Sequence, residues 1–159
     1  MHPTPTNDVE AIARTILVAD LIGPSWAGCT PQDRAALVAR VLDRCGGRAV
    51  DGPGHALVAV FDGPCGAIRA AQALSRAARA KGLQVRIALH SGTVDGHGAH
   101  LTGLAFLVGS RVADLAEADE VLVSATVAGA AATEGVALTD RGEHALKGVP
   151  GRWQLFSVR

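Results

Sequence analysis

The fold of this chain is decided by the stretch TILVADLIGPS at residues 15–25. Its β-branched and other apolar residues predict a buried strand, and the Gly-Pro-Ser sequence that follows predicts a turn. Asp20 places a carboxylate near the end of that strand, shortly before Gly23 and Ser25. A carboxylate beside a turn with free backbone N–H groups can hold a metal ion next to a phosphate chain. The stretch therefore predicts both a strand and a candidate binding site.

The composition predicts a folded globular domain with a formal net charge of zero. The chain has 159 residues, of which 48% are hydrophobic and 19% charged, and Lys+Arg and Asp+Glu number 15 each. This balance argues against a nucleic-acid or anionic-membrane partner bound by bulk charge. No apolar run approaches the roughly 20 residues that span a bilayer, and the N-terminus has no signal-peptide pattern. Three cysteines without metal spacing are typical of reduced cytosolic thiols, so we expect a cytoplasmic protein.

Periodicity and turn signals predict one α/β (α+β) domain over residues 11–159 behind a flexible tail, residues 1–10. Its core is expected to be ferredoxin-like, in the order βαββαβ, with extra C-terminal strands and a mixed, mostly antiparallel sheet packed with helices. The predicted helices begin at about residues 31, 64 and 103, with a short fourth helix after residue 124. The predicted strands cover residues 15–21, 48–50, 55–61, 84–90, 120–124, 143–146 and 153–158, and a glycine-rich loop is expected at 95–100.

Several further segments follow the first strand in a fixed order. They are FDGP at residues 61–64, ALHSG at 88–92, the helix from 103 to 113, EVLVS at 120–124 and DRGEHALKGV at 140–149. Together these segments resemble the catalytic domain of bacterial class III adenylate and guanylate cyclases, over about residues 13–159. The resemblance implies conversion of ATP or GTP to a cyclic nucleotide in signal transduction. It also implies Mg²⁺ or Mn²⁺ as cofactor and a head-to-tail homodimer whose active sites combine both subunits.

Carried over position by position, the resemblance implies that two functional residues are kept. Asp20 matches the first of two metal-binding aspartates, and Arg111 matches the arginine that stabilises the transition-state phosphate. Four other positions carry different side chains. The second metal aspartate falls on His55, the base-reading lysine on Asp51, its aspartate partner on His100 and the ribose-orienting asparagine on Leu107.

These four differences predict weak or absent cyclisation of ATP and GTP. The imidazole of His55 suits Zn²⁺, Mn²⁺ or Co²⁺ better than Mg²⁺, which prefers oxygen ligands. Asp51 reverses the charge of the base-reading group. Leu107 cannot bond a ribose hydroxyl, and a site built on polar contacts discriminates strongly once they are lost.

Three functional hypotheses are therefore open. The first is a degenerate cyclase homology domain, a pseudoenzyme that acts as a binding or regulatory module. The second is a repurposed enzyme, in which a dimer-interface pocket of Asp51, His55, His100, Asp20 and Arg111 acts on a different small molecule with the histidines as acid–base groups. The third is residual Mn²⁺-dependent cyclase activity through Asp20 and His55.

Structural roles are the alternative for each of these residues. Asp20 could be a turn carboxylate, Arg111 a helix-surface arginine, and the His97–His100 pair part of a solvated loop, since two histidines without a third ligand are weak evidence for a metal site. His90 and Arg86 are expected to be structural.

Overall fold

One mixed sheet organises the chain. A computed structural model describes residues 12–22, 30–50, 56–97 and 100–158. The elements are β1 (Ile12–Ile22), α1 (Pro31–Cys45), β2 (Gly47–Val50), β3 (Leu57–Phe61), α2 (Pro64–Ala80), β4 (Gln84–His97), β5 (His100–Thr102), α3 (Leu104–Leu115), β6 (Val121–Ser124), α4 (Ala125–Thr133), β7 (Leu138–Ala145) and β8 (Arg152–Val158). The strand order is β2-β3-β1-β4-β6-β8-β7, with β5 paired to β4. Only the β4–β6 pair is parallel among these strand pairs, so the predicted fold class is confirmed.

The interior strand β1 separates two apolar cores. Successive side chains of a strand point to opposite faces. Leu17 and Ala19 accordingly lie in the core built with α1, α2 and α4. Ile16 and Val18 lie in the other core, with α3 and the segment that joins β7 to β8. Since Asp20 continues the second series, its side chain belongs to the α3 face of the sheet.

Local signals set the limits of the first helix as predicted. Thr30 is the N-cap of α1, and its Oγ1 accepts a hydrogen bond of 3.1 Å from the backbone N–H of Asp33. The Asp33 carboxylate in turn accepts from the backbone N–H of Thr30 at 3.2 Å, which completes a capping box. Gly46 ends the helix with a φ of 75°, a conformation that glycine adopts at little cost. Within the described ranges, none of the helices is both long enough and apolar enough to cross a membrane.

The glycine-rich loop predicted at residues 95–100 is wrong, because β4 continues to His97 and forms a hairpin with β5. Asp95 pairs with Thr102, and Gly96 pairs with Leu101. Leu101 packs against the α3 core, and this burial favours strand pairing over a solvated loop. Strand β7 also begins earlier than predicted, at Leu138, because it follows β8 across a bulge along the edge of the sheet.

Candidate functional site

Asp20 lies near the end of β1 and is paired across the strands with Arg86 of β4. The Nη2 atom of Arg86 is 3.5 Å from Oδ2 of Asp20. About a third of each side chain is exposed, 32% for Arg86 and 33% for Asp20. The carboxylate that the sequence assigns to a metal ion therefore has a guanidinium as its neighbour.

The sequence analysis assigned Arg86 no functional role, and the structure places it in the candidate site. Its Nε is buried and has no hydrogen-bond partner among the described residues. A buried polar atom without a partner is uncommon in folded proteins. The signal that identifies Arg86 is its register opposite Asp20, which becomes visible only once β1 and β4 are paired.

Arg111 and Leu107 lie four residues apart on α3 and therefore share one face of the helix. Arg111 donates from Nε to the backbone carbonyl of Lys147 at 3.0 Å, and its Nη1 is 3.5 Å from the Asp114 carboxylate. Leu107 is half-buried and its side chain comes close to Gly148. This face of α3 is thus directed at the turn between β7 and β8.

Two exposed leucines extend the same face of α3. Leu104 is 54% exposed and Leu115 is 38% exposed. With Leu107 and Arg111 they recur at intervals of three and four residues, which aligns them along the helix. The result is a partly apolar stripe that carries one arginine.

Several of the predicted site residues are not described by the structure. Gly23, Ser25, Asp51 and His55 lie outside the described residues. His100 pairs through its backbone with His97 at the end of the β4–β5 hairpin, and its side chain is not described. The repurposed-enzyme and Mn²⁺ hypotheses depend on these residues and stay predictions. Among the described contacts, none joins the Asp20–Arg86 pair to Leu107 or Arg111.

The described residues hold one part of the predicted metal site: Asp20 is among them, whereas His55, which the sequence assigns to a metal ion with it, lies outside them. Two-metal catalysis needs carboxylates that hold both ions and offset their charge. The described residues contain no cluster of three His, Cys, Asp or Glu side chains that could hold a metal ion. Asp20 has the guanidinium of Arg86 beside it, so the pair carries no net charge.

A buried polar cluster surrounds His90 on β4. Its Nδ1 lies 2.7 Å from Oγ of Ser124 and 3.3 Å from Oγ1 of Thr126. The ring of Trp153 contacts the imidazole edge-on, with centroids 5.5 Å apart. Burial lowers the pKa of His90 from 6.5 to about 4. At 4% exposure the imidazole has little access to a substrate, which supports the structural role expected for it.

A cavity of about 670 Å³ lies on the other side of the sheet, between the sheet, α1 and α2. Most of its lining is apolar and includes Leu37, Val38, Leu57, Leu74 and Val85. These side chains belong to or pack against the core opposite α3. Asp20, near the end of β1, also borders this cavity, whereas Leu107 and Arg111 do not line it.

The comparisons with known proteins identify the fold. No protein-family model and no curated protein matches the chain. Among solved structures, an adenylate/guanylate cyclase/hydrolase from Silicibacter pomeroyi is similar with a TM-score of 0.81 and 22% identity, over 94% of this chain and 97% of that one. An adenylate cyclase from Trypanosoma brucei, in its monomeric state, has a TM-score of 0.79 and 17% identity over 92% and 89%. The guanylate cyclase domain of a protein from Catenaria anguillulae, in complex with GTP, has a TM-score of 0.72 and 17% identity over 93% and 96%.

The chain therefore has the fold of adenylate and guanylate cyclase catalytic domains. The resemblance stated from the sequence is confirmed at the level of the fold, across nearly the whole chain.

Proposed function

We propose that this chain is a nucleotide-binding domain of the cyclase fold that turns over ATP and GTP weakly or not at all. It acts as a binding or regulatory module. Binding is supported by the fold, which in the Catenaria anguillulae domain is seen with GTP. It is also supported by the guanidinium groups of Arg86 and Arg111, since guanidinium is the side-chain group best matched to phosphate.

The observation that carries the loss of turnover is the environment of Leu107. By resemblance this position orients the ribose through an amide side chain. Leu107 instead packs against the apolar core on the α3 side of the sheet and comes close to Gly148. A hydroxyl placed beside it would lose its water without gaining a hydrogen bond, and such a loss costs about 1–3 kcal/mol per group. We therefore expect a ribose bound beside Leu107 to be poorly oriented for attack of its hydroxyl on the phosphate.

Cyclic-nucleotide formation tests this proposal directly. ATP and GTP are incubated with the protein and Mg²⁺ or Mn²⁺, and the products are measured beside Asp20→Ala and Arg111→Ala variants. We expect no turnover above that of the two variants. Turnover in the original chain that disappears in both variants would refute the proposal and show that the remaining residues support cyclisation.

We further propose that the domain self-associates through the stripe on α3. Leu104 and Leu115 are exposed on the same helix face as Arg111, and exposed apolar side chains that form a patch are typical of interaction surfaces. Light scattering after size exclusion should show a dimer for the original chain and a monomer for a variant with Leu104→Gln and Leu115→Gln. Ile12→Gln is the matched control, because Ile12 is also 38% exposed but lies on β1. Equal masses for all three proteins would exclude this surface.

A further inference from the structure

The first half of α1 packs less closely against the sheet than the second half. Val41 and Leu42 are buried, whereas Leu37 and Val38, one turn earlier, are only half-buried. The space between this part of the helix, α2 and the sheet forms the cavity of about 670 Å³. Small-molecule sites in proteins typically have volumes of about 300–1,000 Å³, so the cavity is large enough to hold a ligand.

The side chains that line the cavity are mostly hydrocarbon. Among the described residues that border it, Asp20 and Arg34 alone have polar side chains, and none is aromatic. A polar ligand atom inside such a lining would lose its water without gaining a hydrogen bond, which costs free energy. The lining therefore favours a ligand with a saturated hydrocarbon body over a nucleotide or a sugar.

The charge at the border of the cavity favours an anionic head group on that ligand. Arg34 borders the cavity three residues after the start of α1. A guanidinium has five N–H donors, so it can hold a carboxylate through two parallel hydrogen bonds in addition to contacts with its own chain. The negative charge of Asp20 is offset by Arg86, whose Nη2 lies 3.5 Å from Oδ2 of Asp20.

We infer that this cavity binds one aliphatic carboxylate. The hydrocarbon chain lies among Leu37, Val38 and Leu74, and the carboxylate accepts hydrogen bonds from Arg34. Because Ala19 and Asp20 also border the cavity, the bound ligand reaches the end of β1 that carries the candidate site carboxylate. Nucleotide binding is not required for this site.

Calorimetric titration with octanoate, decanoate and dodecanoate, each below the concentration at which it forms micelles, tests the site. We expect one bound molecule per chain. The affinity should rise about fourfold with each added methylene, as expected when a methylene leaves water for an apolar environment. Binding of many molecules per chain, an affinity that does not depend on chain length, or no binding would overturn the inference.

A substitution that fills the cavity locates the bound chain. Ala39 borders the cavity and is exposed, so Ala39→Phe can place its ring there without displacing the buried core. It should weaken decanoate binding about tenfold or more, because the ring takes the space of at least two methylenes. Ala36→Phe is the matched control, since Ala36 is exposed on the same helix and does not border the cavity. Equal effects of the two substitutions would exclude the cavity as the site.

Arg34→Gln tests the head group. It should weaken decanoate binding about tenfold, as expected for the loss of a charge-assisted hydrogen bond. Binding of decan-1-ol should stay unchanged, because the alcohol has the same chain without the charge. Equal effects on the acid and the alcohol would refute the assignment of the ligand as a carboxylate. Circular dichroism of every variant checks that it is folded.

Discussion

Acid should destabilise this domain through His90. The imidazole lies in the interior, 4% exposed, between the Ser124 hydroxyl at 2.7 Å and the ring of Trp153. Burial disfavours its charged form and lowers its pKa from 6.5 to about 4. The folded state therefore keeps His90 neutral at a pH where an unfolded chain has already protonated it.

The sign and size of the effect follow from this difference. Well above pH 6.5 neither state binds the proton to any extent, and His90 adds almost no pH dependence. Between about 6.5 and 4 the unfolded state binds more protons, so the free energy of unfolding falls by up to about 1.4 kcal/mol per pH unit. From pH 7.5 to pH 4.5 the loss from His90 is about 2.5 kcal/mol.

Urea denaturation at these two pH values, followed by circular dichroism, measures the loss. The control is His90→Asn, whose side-chain amide can still bond the Ser124 hydroxyl but does not titrate. Carboxylates titrate in both proteins, so the difference between them isolates the imidazole. The original chain should lose about 2.5 kcal/mol more than the variant. Equal losses would show that His90 is accessible to protons in the folded state and refute the reasoning.

Three packing and capping predictions concern stability. A Cβ at Gly66 would overlap the carbonyl oxygen of Cys45, whereas one at Gly129 meets nothing within 4 Å. In urea denaturation Gly66→Ala should therefore lower the free energy of unfolding by about 1–3 kcal/mol. Gly129→Ala should raise the free energy of unfolding by about 0.5–1 kcal/mol. Two changes of the same sign would contradict this packing. Leu155 is fully buried, so Leu155→Ala should cost about 2–5 kcal/mol in the same assay, and a cost below 1 kcal/mol would place it outside the core. Thr30→Ala removes the cap of α1 and should lower the melting temperature by about 2–4 °C. An unchanged melting curve would show that the cap adds nothing to stability.

Local sequence signals predicted the helices well, because the forces that begin and end a helix act over a few residues. Thr30 and Gly46 bound α1 in the structure as they do in the sequence pattern. The hairpin of β4 and β5 was predicted as a loop, since the same glycines and histidines suit either conformation. Leu101 decides between them through its contact with the α3 core, and that contact depends on residues distant in the sequence.

The candidate site was harder to predict, because it too depends on contacts between residues that are distant in the sequence. The spacing of Leu107 and Arg111 places them on one helix face, but their neighbours at Lys147 and Gly148 come from another part of the chain. Arg86 gave no signal of its own, because its meaning depends on the register that brings it to Asp20. Metal binding at Asp20 stays a prediction, as do the roles of the residues outside the described ranges.

In this domain the residues that stabilise the fold differ from those at the candidate site. The fold therefore does not imply the catalytic activity. Fully buried side chains such as Leu17 and Leu155 each contribute several kcal/mol to stability. The partly exposed Asp20–Arg86 pair contributes about 0–1 kcal/mol. Changes at site positions therefore cost little folding free energy, and a chain can keep the cyclase fold at 22% identity while its chemistry changes. Whether a domain of this fold cyclises a nucleotide is therefore decided by its few polar site residues, and for this chain the measurement of cyclic-nucleotide formation decides it.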